Sequence, residues 1–265
     1  MPRSERVTFP GVNGTTLAGR LELPDDGQVR GWAVFCHGFA LGKNSAAASR
    51  ISQALAGHGI GVLRYDAAGL GGSTGSWEDG TFSTKVADVG SAAAFLDGRG
   101  TPASLLIGHS LGGAAVLAAA ADLPDAAAVV TIGAPADPAH VLELFAEEDL
   151  QAVRESGEAR VDLGAGPLPI RRELVEELQG HDLAGCIGSL GRPLLVLHSP
   201  DDRAVSMDNA TQIFGAARHP RSFVCLEGCD HLMTDRAHTD RAAGIIAAWA
   251  APYVDGPHSP GPSGA

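Results

Sequence analysis

The stretch LLIGHSLGGAAV, Leu105 to Val116, sets a serine on a corner. A short apolar run stops at Gly108. His109 and Ser110 follow, then Gly112 and Gly113, then an alanine-rich segment of helical character. The apolar run reads as a buried strand and the alanine segment as a helix, so the chain must reverse sharply at Ser110. Side chains at the flanking glycines would strike the neighbouring strand and helix. In a strand-turn-helix context, G-x-S-x-G lifts the serine Oγ above a sheet, at the positive end of the following helix. The plain alternative is a glycine-rich turn. A hydroxyl is a weak nucleophile near neutral pH and needs a base, so the rest of the chain decides.

Working outward, strand-like and helix-like segments alternate on both sides of this corner. RVTFP and TTLAGRLELP form an antiparallel opening, with a turn at Gly11 to Gly14. GWAVFCHGF, GIGVLRYDA, ASLLIGHS, AAVVTIGAP, RPLLVLHSP and RSFVCLEGCDH read as strands, and helical patterns separate most of them. One such helix is Phe82 to Leu96, with Phe82, Val86, Val89, Ala93 and Leu96 on one face. GLGGSTGS reads as a flexible loop. Between about Ala136 and Leu190 the rhythm breaks into charged, helix-prone sequence around a small hairpin, ARVDLGAGPLPI, turning at Gly164 to Gly166. This predicts an α/β fold: a mostly parallel sheet with an antiparallel N-terminal edge, helices on both faces and a small inserted cap. One domain is expected over 1–254, with a disordered Pro/Gly/Ser-rich tail over 255–265.

In such sheets the working crevice lies at the carboxyl ends of the strands. Four loops fall there: CHGFALG, GHSLGG, HSPDDRAV and GCDHL. His231, after the last strand, is the expected base, and the chain order serine, acid, histidine suits the fold. Asp202 is the expected orienter of that base, with Asp201 as the alternative. Asp66 and Asp230 read as structural. Of the other histidines, His109 and His37 read as structural or loop-stabilising, and His198 as packing near the acid. Backbone amides of Phe39 and Leu111 are the expected donors to a developing oxyanion. Leu142, Phe145, Leu168 and Ile170 in the inserted segment are candidates to line a substrate pocket, or simply to pack that segment onto the body.

With HGF, GHSLGG, HSPDDRAV and GCDH in this order, the sequence resembles an α/β-hydrolase over nearly its whole length. It is similar to the bacterial branch that includes feruloyl and cinnamoyl esterases, where an HGF oxyanion loop is common. SLLIGHSLGGAAVLAAA and IFGAARHPRSFVCLEGCDHL are similar to the hydrolase half of fusions carrying an OsmC-type peroxidase domain. This sequence has only a short tail after its hydrolase part, so no peroxide chemistry is carried over. The resemblance implies a serine hydrolase that forms an acyl-enzyme on carboxylic esters, without metal or organic cofactor. Peptidase or thioesterase action on the same residues, or a non-catalytic binding module, are the competing readings.

Composition narrows the partners. The formal net charge of -12 disfavours nucleic acid. No apolar stretch is long enough for a bilayer, and MPRSERVTFP lacks the core of a signal peptide. Cytoplasmic location is therefore expected, with no membrane partner, and the hydrolase resemblance implies a small-molecule ester as substrate. The four cysteines, Cys36, Cys186, Cys225 and Cys229, lack metal spacing and read as free thiols. Oligomeric state is left open, a homodimer through an edge strand or exposed cap being one option.

Overall fold

The computed structural model describes residues 2–162 and 166–255. The chain opens with β1 (Arg3–Pro10) and β2 (Thr16–Leu23), antiparallel partners joined at Gly11–Thr15. There follow β3 (Gly31–Cys36), α1 (Ala46–Gly57), β4 (Ile60–Tyr65), α2 (Phe82–Asp97), β5 (Ala103–His109), α3 (Leu111–Ala119) and β6 (Ala128–Ile132). The segment between β6 and the next sheet strand holds a 3-10 turn (Pro138–Leu144), α4 (Glu147–Ser156), β7 (Glu158–Asp162), β8 (Pro167–Arg171), α5 (Arg172–Gly180) and α6 (Leu183–Gly188). β9 (Leu194–His198), α7 (Met207–Ala216), β10 (Arg221–Cys225) and α8 (Arg236–Val254) complete the described chain.

Eight strands make one sheet in the order β1-β2-β4-β3-β5-β6-β9-β10. β2 runs antiparallel to both β1 and β4, and every pairing from β4 to β10 is parallel. The inner parallel strands β4, β5, β6 and β9 are buried along their whole length and mostly apolar because both faces are covered, while the edge strand β10 is only half-buried. Alternate residues feed opposite cores. Phe35, Val62, Ile107 and Leu197 pack under α1 and α8, while Val34, Leu106, Val129 and Val196 pack under α2, α3 and α7. The central helix α3 is buried nearly all round. Its alanines and glycines let it lie close to the sheet: a Cβ on Gly113 would come within 2.5 Å of Ala134 Cβ.

The segment between β6 and β9 has no core of its own. Leu142, Phe145, Val153, Ile170 and Leu178 join the core that lies under α3. Each buried side chain of this size contributes about 1.5–3 kcal/mol. That burial holds elements too short to persist alone. β7 and β8 form the expected hairpin as a separate two-stranded unit. Of its expected turn, Gly164 lies outside the described residues, as does the tail beyond Asp255.

One expectation is corrected. GLGGSTGS is not a free loop. Ser73 Oγ donates to the Asp66 carbonyl at 2.7 Å and accepts from the Ala18 amide at 2.9 Å, and the Thr74 amide donates to Thr16 O. Small polar residues that read as a flexible linker here staple the loop to β2.

Candidate active site

β5 ends at the corner anticipated from the sequence. Ser110 has φ 55 and ψ -131, a conformation that costs a non-glycine residue on the order of 1–3 kcal/mol. Its neighbours enforce it. A Cβ on Gly108 would overlap the Gly112 carbonyl, and one on Gly112 would overlap the Cys36 carbonyl. The Ser110 amide donates to Ile132 O at 2.9 Å, fixing the corner to β6.

Two further loops converge on the serine. His231, in the loop before α8, places Nε2 3.0 Å from Ser110 Oγ. Its Nδ1 lies 2.7 Å from Asp202 Oδ2. The other Asp202 oxygen accepts the amides of Ala204 and Val205, each at 2.9 Å. Burial by itself would raise this carboxyl's pKa. The bond from His231 and the two amides outweigh it and hold the group below the usual carboxylate range. Gly133, just after β6 at φ +54, leaves room for this pair: a Cβ there would stand 3.1 Å from Asp202 Oδ2. Asp201 points elsewhere, accepting the Gly228 amide at 2.8 Å.

Other histidines brace these groups. His109 Nε2–H donates to the His231 carbonyl at 2.7 Å, and the two rings lie 5.2 Å apart. Burial, then the neighbouring His231, lowers the His109 pKa to about 4. His198 Nε2–H donates to Val205 O at 2.8 Å, and His140, from the segment between β6 and β9, donates to Ala204 O at 2.8 Å. Both clasp the turn that carries Asp202.

On the opposite side lies the loop after β3. A Cβ on Gly38 would stand 3.0 Å from Ser110 Cβ, so this loop rests against the serine. His37 Nδ1–H donates to Gly38 O at 2.8 Å, and its Nε2 accepts the Ala67 amide at 3.2 Å. Burial, then the charge of Lys85, drives the His37 pKa down to about 3. Asp66 ties the far end of the loop, accepting the Lys43 amide at 2.8 Å and the Lys43 ammonium, and also the Gly72 amide at 2.9 Å. Leu111 is the first residue of α3, so its amide has no acceptor within the helix.

A cleft open to solvent adjoins the serine through Gly38 and Leu111. Its apolar wall includes Phe39, Leu70, Trp77, Phe82 and Leu174, and Lys85 and Asp88 supply charge. The Phe39 ring lies 5.4 Å from Trp77 and 6.0 Å from Phe145.

The sequence matches the alpha/beta hydrolase family over residues 33–247. The chain belongs to that family. The esterase domain of a Rhodothermus marinus protein is 43% identical and superposes with a TM-score of 0.78, over 95% of this chain and 99% of that one. Est1E from Butyrivibrio proteoclasticus, solved with ferulic acid bound, has a TM-score of 0.80 at 18% identity, over 94% of this chain and 100% of that one. A dienelactone hydrolase from Anabaena variabilis has a TM-score of 0.67 at 17% identity, covering 95% and 98%. No curated protein matches the chain. The fold is thus that of an esterase-like alpha/beta hydrolase, and no described helix is long and apolar enough to cross a membrane.

Within this hydrolase frame, Ser110, Asp202 and His231 come together, with Phe39 and Leu111 flanking the serine. The four apolar residues expected to line a pocket are not among those walling the cleft. Leu142, Phe145 and Ile170 are core residues, and Leu168 is half-buried on β8. Of the segment between β6 and β9, the wall takes Leu174 instead. Sequence reasoning missed Trp77, Gly133 and the bracing role of His140. A glycine directly after an apolar central strand was the signal available for Gly133. Trp77 carried none beyond being a large apolar residue in a glycine-rich loop.

Proposed function

We propose that the protein hydrolyses carboxylic esters through an acyl-enzyme on Ser110. The observation that carries this is the unbroken chain Ser110 Oγ, His231, Asp202, at 3.0 Å and 2.7 Å. His231 takes the proton of Ser110 as Oγ attacks the ester carbonyl. Asp202 holds the Nδ1–H tautomer and stabilises the imidazolium that forms. The amides of Phe39 and Leu111 receive the oxyanion without reorganising. His231 then protonates the departing alcohol, and water resolves the acyl-enzyme with the roles reversed. The acyl or alcohol portion occupies the cleft walled by Trp77, Phe82 and Leu174. Likeness to the Rhodothermus esterase domain supports an ester over an amide.

The test is hydrolysis of p-nitrophenyl esters of increasing acyl length by wild type and Ser110→Ala. Activity with a chain-length optimum, abolished in the variant, supports the proposal and sizes the cleft. Silence toward the whole series sinks the ester reading. Residual wild-type rates in Ser110→Ala sink the nucleophile.

A further inference from the structure

Gly38 O is the acceptor at the back of the loop that rests on Ser110. Two groups face it: His37 Nδ1–H at 2.8 Å and the Lys85 ammonium at 3.5 Å. The peptide that carries this carbonyl is the one that carries the Phe39 N–H. In a trans peptide the C=O and N–H point in opposite directions. Fixing the carbonyl toward α2 therefore aims the Phe39 N–H the other way.

We infer that Lys85 is a positioning residue for the oxyanion donor, holding and polarising the Gly38–Phe39 peptide by its charge from behind. The inference rests on the assignment of Phe39 as a donor. Each peptide carries a dipole of about 3.5 D. A cation at its carbonyl end strengthens the donor at the other end, as bonds in a chain polarise one another. His37 supplies the geometry. Its Nε2 is committed to the Ala67 amide, so Nδ1 must carry the hydrogen, and the ring contributes no charge of its own. Lys85 supplies the charge. Asp88, three residues on along α2, is buried and feels the Lys85 charge, but its oxygens serve backbone amides, including that of Val12 at 3.3 Å, leaving the ammonium to face Gly38 O. Without Lys85 the loop would keep its fold through His37 and Asp66 while its donor weakened.

The experiment compares Lys85→Met and Lys85→Arg in the full chain. It reads kcat, KM and inhibition by phenylboronic acid, which forms a tetrahedral adduct on a nucleophilic serine. Removing an oxyanion donor outright costs about 10²–10³ in kcat. Weakening one is expected to cost about tenfold. Lys85→Met should therefore lose about tenfold in kcat and similarly in boronate affinity, with KM within about twofold. Lys85→Arg should recover most of both. If Met at 85 prevents folding, Lys85→Gln carries the same comparison. Unchanged kcat and boronate affinity overturn the inference. So does a loss confined to KM, which would make Lys85 a cleft-wall residue only. If Ser110→Ala stays active, the functional reading fails first; a dead Ser110→Ala beside an unimpaired Lys85→Met defeats this inference alone.

Discussion

The two sides of Ser110 are built differently. On the β6, β9 and β10 side, side chains bond to side chains: Ser110 to His231 to Asp202. On the β3 and β4 side, the atoms facing the serine are backbone, and the side chains of His37, Asp66 and Lys85 work from behind. The first arrangement concentrates the chemistry we propose in a few residue identities. The second spreads it over residues whose only shared property is what they hold. Loss of a member should therefore be abrupt on one side and graded on the other.

The sharpest break is Asp202→Asn. It preserves shape but offers His231 the wrong hydrogen pattern, and kcat should fall by about 10⁴ near pH 7 with little change in melting temperature. A fall below about tenfold would mean that the carboxylate is not the orienter.

Acid comes next and strains both sides at once. His37 and His109 are held neutral, with values near 3 and 4. Between the ordinary histidine value of about 6.5 and those lowered values, the unfolded chain binds more protons than the folded one. Stability is then full above about pH 6.5 and falls as pH drops, by up to about 1.4 kcal/mol per pH unit for each ring. Asp66 and Asp202 are also held low against the opposing effect of burial, so their contributions are lost only below the usual carboxylate range. Melting curves from pH 7 to 4.5 should slope downward. His37→Gln and His109→Gln should each flatten the slope; if neither does, the rings are not buried neutral groups.

Gly133→Ala is a smaller perturbation. The left-handed backbone would cost about 1–2 kcal/mol, and the new Cβ would press on Asp202 and His231. A modest drop in melting temperature should accompany about a tenfold loss of kcat. At the small end, Trp77→Ala should raise KM a few-fold for long acyl esters and leave kcat nearly intact. Leu168→Ala, away from the cleft, should change neither by more than about twofold. Steady-state kinetics on one ester series, with a melting curve for Gly133→Ala, checks all of these.

This contrast also explains what the sequence could disclose. The strands and their alternation were legible because two buried faces demand apolar residues at nearly every position. Ser110, His231 and Asp202, which the structure brings together, could be picked out in the sequence because the chemistry we propose requires those side chains in that order. The holders could not: Lys85 on a helix and Trp77 in a glycine-rich loop look like ordinary surface and filler. The apolar residues between β6 and β9 misled for a related reason. Hydrophobicity at Leu142, Phe145 and Ile170 satisfies the burial needs of short elements, and a core position reads the same as a pocket wall until the packing is known.

His109 has a mechanical meaning. It is bonded in sequence to the serine and in space to the main chain of the histidine loop. Strand end and histidine loop are thus tied directly to each other, and a motion that opened the gap between them would have to break this bond. Parts tied in this way should not separate before the fold around them does. On heating, catalytic output should disappear along the same curve as the fold itself, with no temperature at which an intact molecule has already gone silent.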